Sequence, residues 1–217
     1  MIKMGEMCIS LNEVKPKFRK KLTALDKKPR DKRVCKSEVS GVSESDFEAF
    51  INSMRIDPLM EIEGKKIHKS QLDGLTQLAG DVGVTLEEIL ERVTVKDGNV
   101  TELNLNGTKV SDISALVKLT NLRVLYLIGT PVSDIRPLAK LTNLRLLLLF
   151  GTQVSDIRAL AKLTNLKEIN LGETPVSDIS ALAKLKNLES LILITTNVSK
   201  MQVMKMEKAF PHLNIFY

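Results

Sequence analysis

Four aspartates, Asp112, Asp134, Asp156 and Asp178, recur every 22 residues, each preceded by serine and followed by isoleucine. Carboxylates at so regular a spacing could hold a divalent cation or cap a turn. A calcium ion needs about six to eight oxygens, and the surrounding letters offer too few at convergent positions. The capping chemistry fits better: each carboxylate is expected to accept backbone N–H groups of the short turn "DISAL" or "DIRPL". If the copies stack, like charges fall about 5 Å apart and need local compensation.

Other chemistry has little to work with. The two histidines, His68 and His212, are 144 positions apart, and His212 stands where other copies carry the asparagine of "LTNL". A structural role is expected for it. The chain has no hydrolase-type serine or cysteine motif, no phosphate-binding glycine loop and no metal-ligand spacing. A non-catalytic protein without a cofactor or metal is the expectation.

The aspartates belong to a longer repeat. Near copies of "NLRVLYLIGTPVSDIRPLAKLT" begin at 99, 121, 143, 165 and 187, and periods of this length mean a stacked solenoid. In the second copy the recurring apolar letters are Leu122, Leu125, Leu127, Val132, Ile135, Leu138 and Leu141. The alternation Leu125, Tyr126, Leu127 has period two, predicting a short strand with both leucines inward and Tyr126 outward. Seven buried side chains cannot offset the ordering entropy of 22 residues. Each copy must therefore bury its faces on its neighbours.

This pattern resembles the leucine-rich repeat family, and through "DIxxLxxLTNL" its 22-residue internalin-like class. The resemblance covers about residues 99–217. It implies an α/β solenoid with a parallel sheet on its concave side, a bacterial origin and a protein-binding role, with an effector as one form; the flanking segments are expected to add helical caps at both ends. Where the family usually carries a ladder asparagine this chain has Thr108, Thr130, Thr152, Thr174 and Thr196, whose hydroxyls can satisfy turn backbone groups instead.

Outside the repeats, residues 1–42 read as a basic, disordered tail, since the first 40 hold twelve Lys/Arg against five Asp/Glu. Residues 43–98 read as a helical N-terminal cap. Ser45 with Glu48, Ser70 and Thr85 mark helix starts. A C-terminal cap is expected from about 199, where "KMQVMKMEKAF" is helical in character. The two cysteines, Cys8 and Cys35, fall in the tail and imply no disulfide framework or metal cluster. With no secretory or membrane-spanning apolar segment, a cytoplasmic setting is the default expectation, and signal-independent export would leave no mark in the sequence.

Nucleic acid, or an anionic membrane, is the alternative partner, reached through the basic tail. Residues 75–92 have a helix-turn-helix cadence, resembling the common bacterial DNA-binding motif. Glu87, Glu88 and Glu91 stand where a recognition helix should be basic, so a helical cap with a similar turn is the better reading.

The outward strand letters are free of the core. Down the stack they run Thr101, Arg123, Arg145, Lys167, Glu189; Glu102, Val124, Leu146, Glu168, Ser190; Asn104, Tyr126, Leu148, Asn170, Ile192; and Asn106, Ile128, Phe150, Gly172, Ile194. Repeats two and three thus bring Val124, Tyr126, Ile128, Leu146, Leu148 and Phe150 together beside Arg123 and Arg145. Contiguous exposed apolar area marks an interaction site. The expected site comprises these residues with Lys167, Ile192 and Ile194, facing an acidic protein partner. Coverage by the tail, self-association and incidental hydrophobicity are the competing explanations.

Overall fold

A computed structural model describes residues 7–10, 33–35, 45 and 59–217 of the chain. It divides into two compact units, Met1–Asp73 and Gly74–Tyr217.

In the first unit, β1 (Met7–Ser10), β2 (Arg33–Cys35), β3 (Leu59–Ile62) and β4 (Lys65–His68) form a sheet in the order β2-β1-β3-β4, antiparallel throughout. Within the expected tail, residues 1–42, "MCIS" and "RVC" are strands, and the rest of that segment lies outside the described residues. Those stretches are three and four residues long inside a lysine-rich context, too short for periodicity to reveal. β3 and β4 are joined across Glu63 and Gly64, both at positive φ, the conformation of a two-residue hairpin turn. Ser45 is helical, while Glu48 and the rest of the expected first helix lie outside the described residues.

The second unit contains the repeats and what closes them. Helix α1 (Lys69–Val82) begins in the first unit and buries Leu75, Leu78 and Ala79 at helical spacing. Gly74 lets it come close to the first repeat, because a Cβ there would lie 3.3 Å from the Ala115 carbonyl oxygen. Helix α2 (Leu86–Glu91) starts at Thr85 in the expected way. The Thr85 hydroxyl accepts the Glu88 N–H at 3.2 Å, and the Glu88 carboxylate accepts the Thr85 N–H at 2.7 Å.

The N-terminal closure is not purely helical, however. Strands β5 (Val93–Lys96) and β6 (Asn99–Asn104) form an antiparallel hairpin through Asp97 and Gly98 at positive φ. β5 takes up the outer edge of the first repeat strand, so this end of the sheet has a ladder partner.

From β6 onward every pairing is parallel: β7 (Val124–Tyr126), β8 (Leu146–Leu148), β9 (Glu168–Asn170), β10 (Ser190–Ile192) and β11 (Asn214–Phe216). The first four repeats each return through a 3-10 turn, such as Arg136–Lys140 in the second. The seven recurring apolar positions are buried in all four copies from 99 to 186, none more than 3% exposed. The C-terminal closure is helix α3 (Lys200–Ala209), capped by the Ser199 hydroxyl, followed by β11.

Two polar ladders hold the stack. Thr108, Thr130, Thr152, Thr174 and Thr196 each donate their hydroxyl to the leucine carbonyl three residues earlier, at 2.6–2.8 Å. These bonds stay inside one repeat, and Thr130, Thr152 and Thr174 are buried. A second ladder, from the asparagines of "LTNL" and "LKNL", bridges repeats. The side-chain amides of Asn143, Asn165 and Asn187 donate to the carbonyls of Thr120, Thr142 and Thr164 at 2.8–2.9 Å.

Candidate functional site

The sheet's outward face is built by register. Val124 stands opposite Leu146 and Tyr126 opposite Leu148 across β7 and β8, a strand spacing of about 4.8 Å. All four are half-buried, as are Ile128 and Phe150 just beyond the strand ends. The six residues expected to gather in repeats two and three therefore do so.

The neighbours of this patch are polar and committed to the backbone. Asn104 accepts the Asn106 N–H at 3.0 Å, Asn170 accepts the Gly172 N–H at 2.9 Å, and Asn106 accepts the Ile128 N–H at 2.8 Å. Repeat four, with Glu168, Asn170 and Gly172, then separates the patch from Ile192 and Ile194. The expected site is thus two apolar areas rather than one. The second also includes Phe216, set opposite Ile192 in β11 and 53% exposed. The sequence signal for it was "HLNIFY", which restates the repeat's strand after an insertion.

Phe150 leans over repeat four. A Cβ built on Gly172 would come within 2.9 Å of the Phe150 ring, so the absence of a side chain at 172 is what lets the ring lie down along the stack. Spacing alone gave no hint of this dependence.

The basic strip is also uneven. Lys167 is bound to Glu189 of the next repeat at 2.6 Å, which consumes the charge expected to steer a partner. Arg123 and Arg145 are exposed, and among the described residues no carboxylate bridges to either.

The opposite, convex side holds the aspartates. Each accepts the backbone N–H two residues on, at 2.7–2.9 Å, the turn-capping role expected of it. Repulsion along the column is met locally at the middle pair. Arg136 forks onto Asp134 and Arg158 onto Asp156, each with a closest approach of 2.6 Å. The Arg136 hydrogen bonds, then its backbone N–H, hold the Asp134 carboxyl below its ordinary range. The Arg158 hydrogen bonds bring Asp156 to about 2. Asp178 is lowered by the Ser180 backbone N–H.

A depression of about 730 Å³ lies between these two ion pairs. Its two carboxylates are already matched by arginines, and Lys162 also lines it. Among the described residues no three His, Cys, Asp or Glu side chains come together as metal ligands would. His212 lies in the C-terminal closure, edge-on to Phe210 at 6.1 Å between ring centroids.

Residues 75–92 do form two helices around a turn, but the second has only six residues. Its exposed groups include Glu88 and Glu91, an acidic surface that phosphates would repel.

Such an architecture, short parallel strands with 3-10 returns every 22 residues, defines a leucine-rich repeat solenoid. The family description "Leucine Rich repeats (2 copies)" matches residues 98–140 and 142–184. The chain carries leucine-rich repeats and is similar to internalins. An internalin (InlF) of Listeria monocytogenes is 33% identical with a TM-score of 0.51, over 68% of this chain and 42% of the other. Internalin C2 of the same species is 24% identical with a TM-score of 0.52, over 68% and 62%. The chain thus spans about half the length of these internalins. The leucine-rich repeat ectodomain of the Arabidopsis thaliana receptor kinase SOBIR1 shares the fold at 20% identity and a TM-score of 0.55, over 69% and 92%. No curated protein sequence matches the chain.

Proposed function

We propose that the protein is a non-catalytic interaction module whose second and third repeats grip a protein partner on the concave face. Leucine-rich repeat proteins are in general protein-interaction modules. The observation that carries the finer reading is the in-register apolar block Val124/Leu146 and Tyr126/Leu148, continued by Ile128 and Phe150. It is bounded by the unmatched cations Arg123 and Arg145 and by backbone-committed asparagines on both sides. Apolar anchors ringed by polar groups are the arrangement that concentrates binding energy. The two arginines favour an acidic partner surface and a fast, salt-sensitive encounter. Ile192, Ile194 and Phe216 form a second contact area, and Lys167 acts mainly by holding Glu189. The face is open rather than pocketed, which suits a macromolecule better than a small ligand.

The test compares the wild type with Tyr126→Ser/Phe150→Ser, both checked by circular dichroism, as immobilised baits in lysate. Proteins held by the wild type are expected to be lost from the double variant and from Arg123→Glu/Arg145→Glu. Retention of every bound protein by a folded double variant refutes the reading. A wild-type dimer in light scattering that the double variant dissolves would instead assign the face to self-association.

A further inference from the structure

The two edges of the repeat sheet are built differently. β5 carries a register irregularity between Thr94 and Val95 and ends on Lys96, devices that spoil an edge as a template for another strand. β11, the opposite edge, has an unbroken register and neither device. The stretch that contains it, "HLNIFY", holds no lysine, arginine or carboxylate side chain. Among the described residues, the large apolar side chains left exposed are Ile194, Met201, Met204, Phe216 and Tyr217, all at or beyond position 194. Exposed apolar surface thus gathers where the backbone edge is open. Helix α3 adds to it: Gln202, Lys205 and Ala209 line a depression with Ala183 of repeat four, and helical spacing turns Met204 away from that side.

The direction of the backbone groups says what this edge accepts. Flanking β10, the Glu189 carbonyl accepts the Asn214 N–H at 3.0 Å, and the Leu193 N–H donates to the Phe216 carbonyl at 2.7 Å. The register pairs Ser190 with Asn214, Leu191 with Ile215 and Ile192 with Phe216, so Leu213 and Tyr217 are the counterparts of Glu189 and Leu193. By the same alternation the Leu213 carbonyl, both backbone groups of Ile215 and the Tyr217 N–H point outward, where a further strand would lie. A second β11, turned over about a two-fold axis at Ile215, presents these groups in reverse order. Ile215 then exchanges both its hydrogen bonds with Ile215 of the second copy, and each Tyr217 N–H meets the other copy's Leu213 carbonyl. The edge is self-complementary.

We propose that the protein forms a two-fold dimer by antiparallel pairing of β11 with β11 of a second copy. Phe216 of each copy falls opposite Asn214 of the other, and Ile192, Ile194 and Phe216 of both copies share one continuous face. Head-to-tail stacking of β11 on β5 is disfavoured by the irregularity and Lys96, so assembly closes at two copies. The pairing uses neither Tyr126 nor Phe150 and stands apart from partner binding at repeats two and three.

The experiment follows the full chain, kept reduced, by sedimentation velocity across a concentration series. A monomer–dimer equilibrium is expected, unchanged in Tyr126→Ser/Phe150→Ser. Ile215→Pro removes an outward N–H that no strand of the same chain accepts, so it should leave a folded monomer by circular dichroism. Amide exchange of the wild type supplies a readout free of mutation: Ile215 and Tyr217 should slow with rising concentration, while Asn214 and Phe216, bonded within the chain, should not change. A wild type that stays monomeric at every concentration, or assembles beyond a dimer, would overturn the pairing. So would a dimer that persists in folded Ile215→Pro, or one whose formation leaves exchange at Ile215 and Tyr217 unchanged.

Discussion

The convex carboxylates show how a residue's role is set by its immediate neighbours. Asp134 and Asp178 occupy the same position in their repeats, yet Arg136 forks onto the first while Ser180 offers the second only local contacts. Asp156 is lowered to about 2 chiefly by Arg158. A depressed carboxyl contributes stability that is present above its unfolded value, near 3.8, and is lost as the pH falls through about 2. Arg158→Ala is therefore expected to raise the Asp156 titration toward the ordinary carboxylate range and move that loss to higher pH. A carboxyl-carbon NMR titration checks it, and an unchanged Asp156 midpoint would show that the backbone N–H alone sets the value. The ion pair is solvent-exposed, so its effect on stability at neutral pH is expected to be small.

Among the elements, the repeats were legible from sequence because their signal is redundant. Leu125 and Leu127 are inward, Tyr126 outward, and the same holds in every copy, so chance agreement averages away. The strands outside the repeats carry no such redundancy. β4 is "KKIH", in which Ile67 alone is buried, and a four-residue strand with one apolar letter has no period to detect. The turn residues Asp97 and Gly98 were the better clue, since that dipeptide favours a hairpin. Bridging asparagines and the Phe150–Gly172 contact stayed hidden because both depend on what the next repeat presents. A further cost surfaces in the turn after each strand. Gly107, Gly129 and Gly151 take positive φ there, while Glu173 and Thr195 adopt the same conformation at φ 54° and 59°. A β-branched residue is strained in that region by about 1–2 kcal/mol. Thr195→Gly should consequently stabilise the protein by about 1 kcal/mol, after the added chain entropy of glycine is set against the relieved strain. Urea unfolding measures it; a lower midpoint would mean that Thr195 makes compensating contacts.

At the scale of the molecule, stability in a stacked array is the sum of each repeat's own terms and those it shares with its neighbours. The position of a substitution along the stack should then matter as much as its chemistry. Leu147 is fully buried in the third repeat, with β7 and β9 on either side, whereas Leu213 lies in the terminal closure and is 7% exposed. Leu147→Ala leaves a cavity supported from both sides and is expected to cost about 2–5 kcal/mol, lowering the urea midpoint of the whole repeat unit. Leu213→Ala loosens only the end. Amide exchange is expected to speed up in β10 and β11 while β7 and β8 keep their protection, because the apolar block of repeats two and three does not depend on the last strand. If exchange rises equally in β7, the repeats unfold as one block, and the second contact area at Ile192, Ile194 and Phe216 would be as rigid as the first. If it rises only at the end, a partner gripping both areas must order the terminal repeat on binding, and that ordering would lower its affinity for the second area relative to the first.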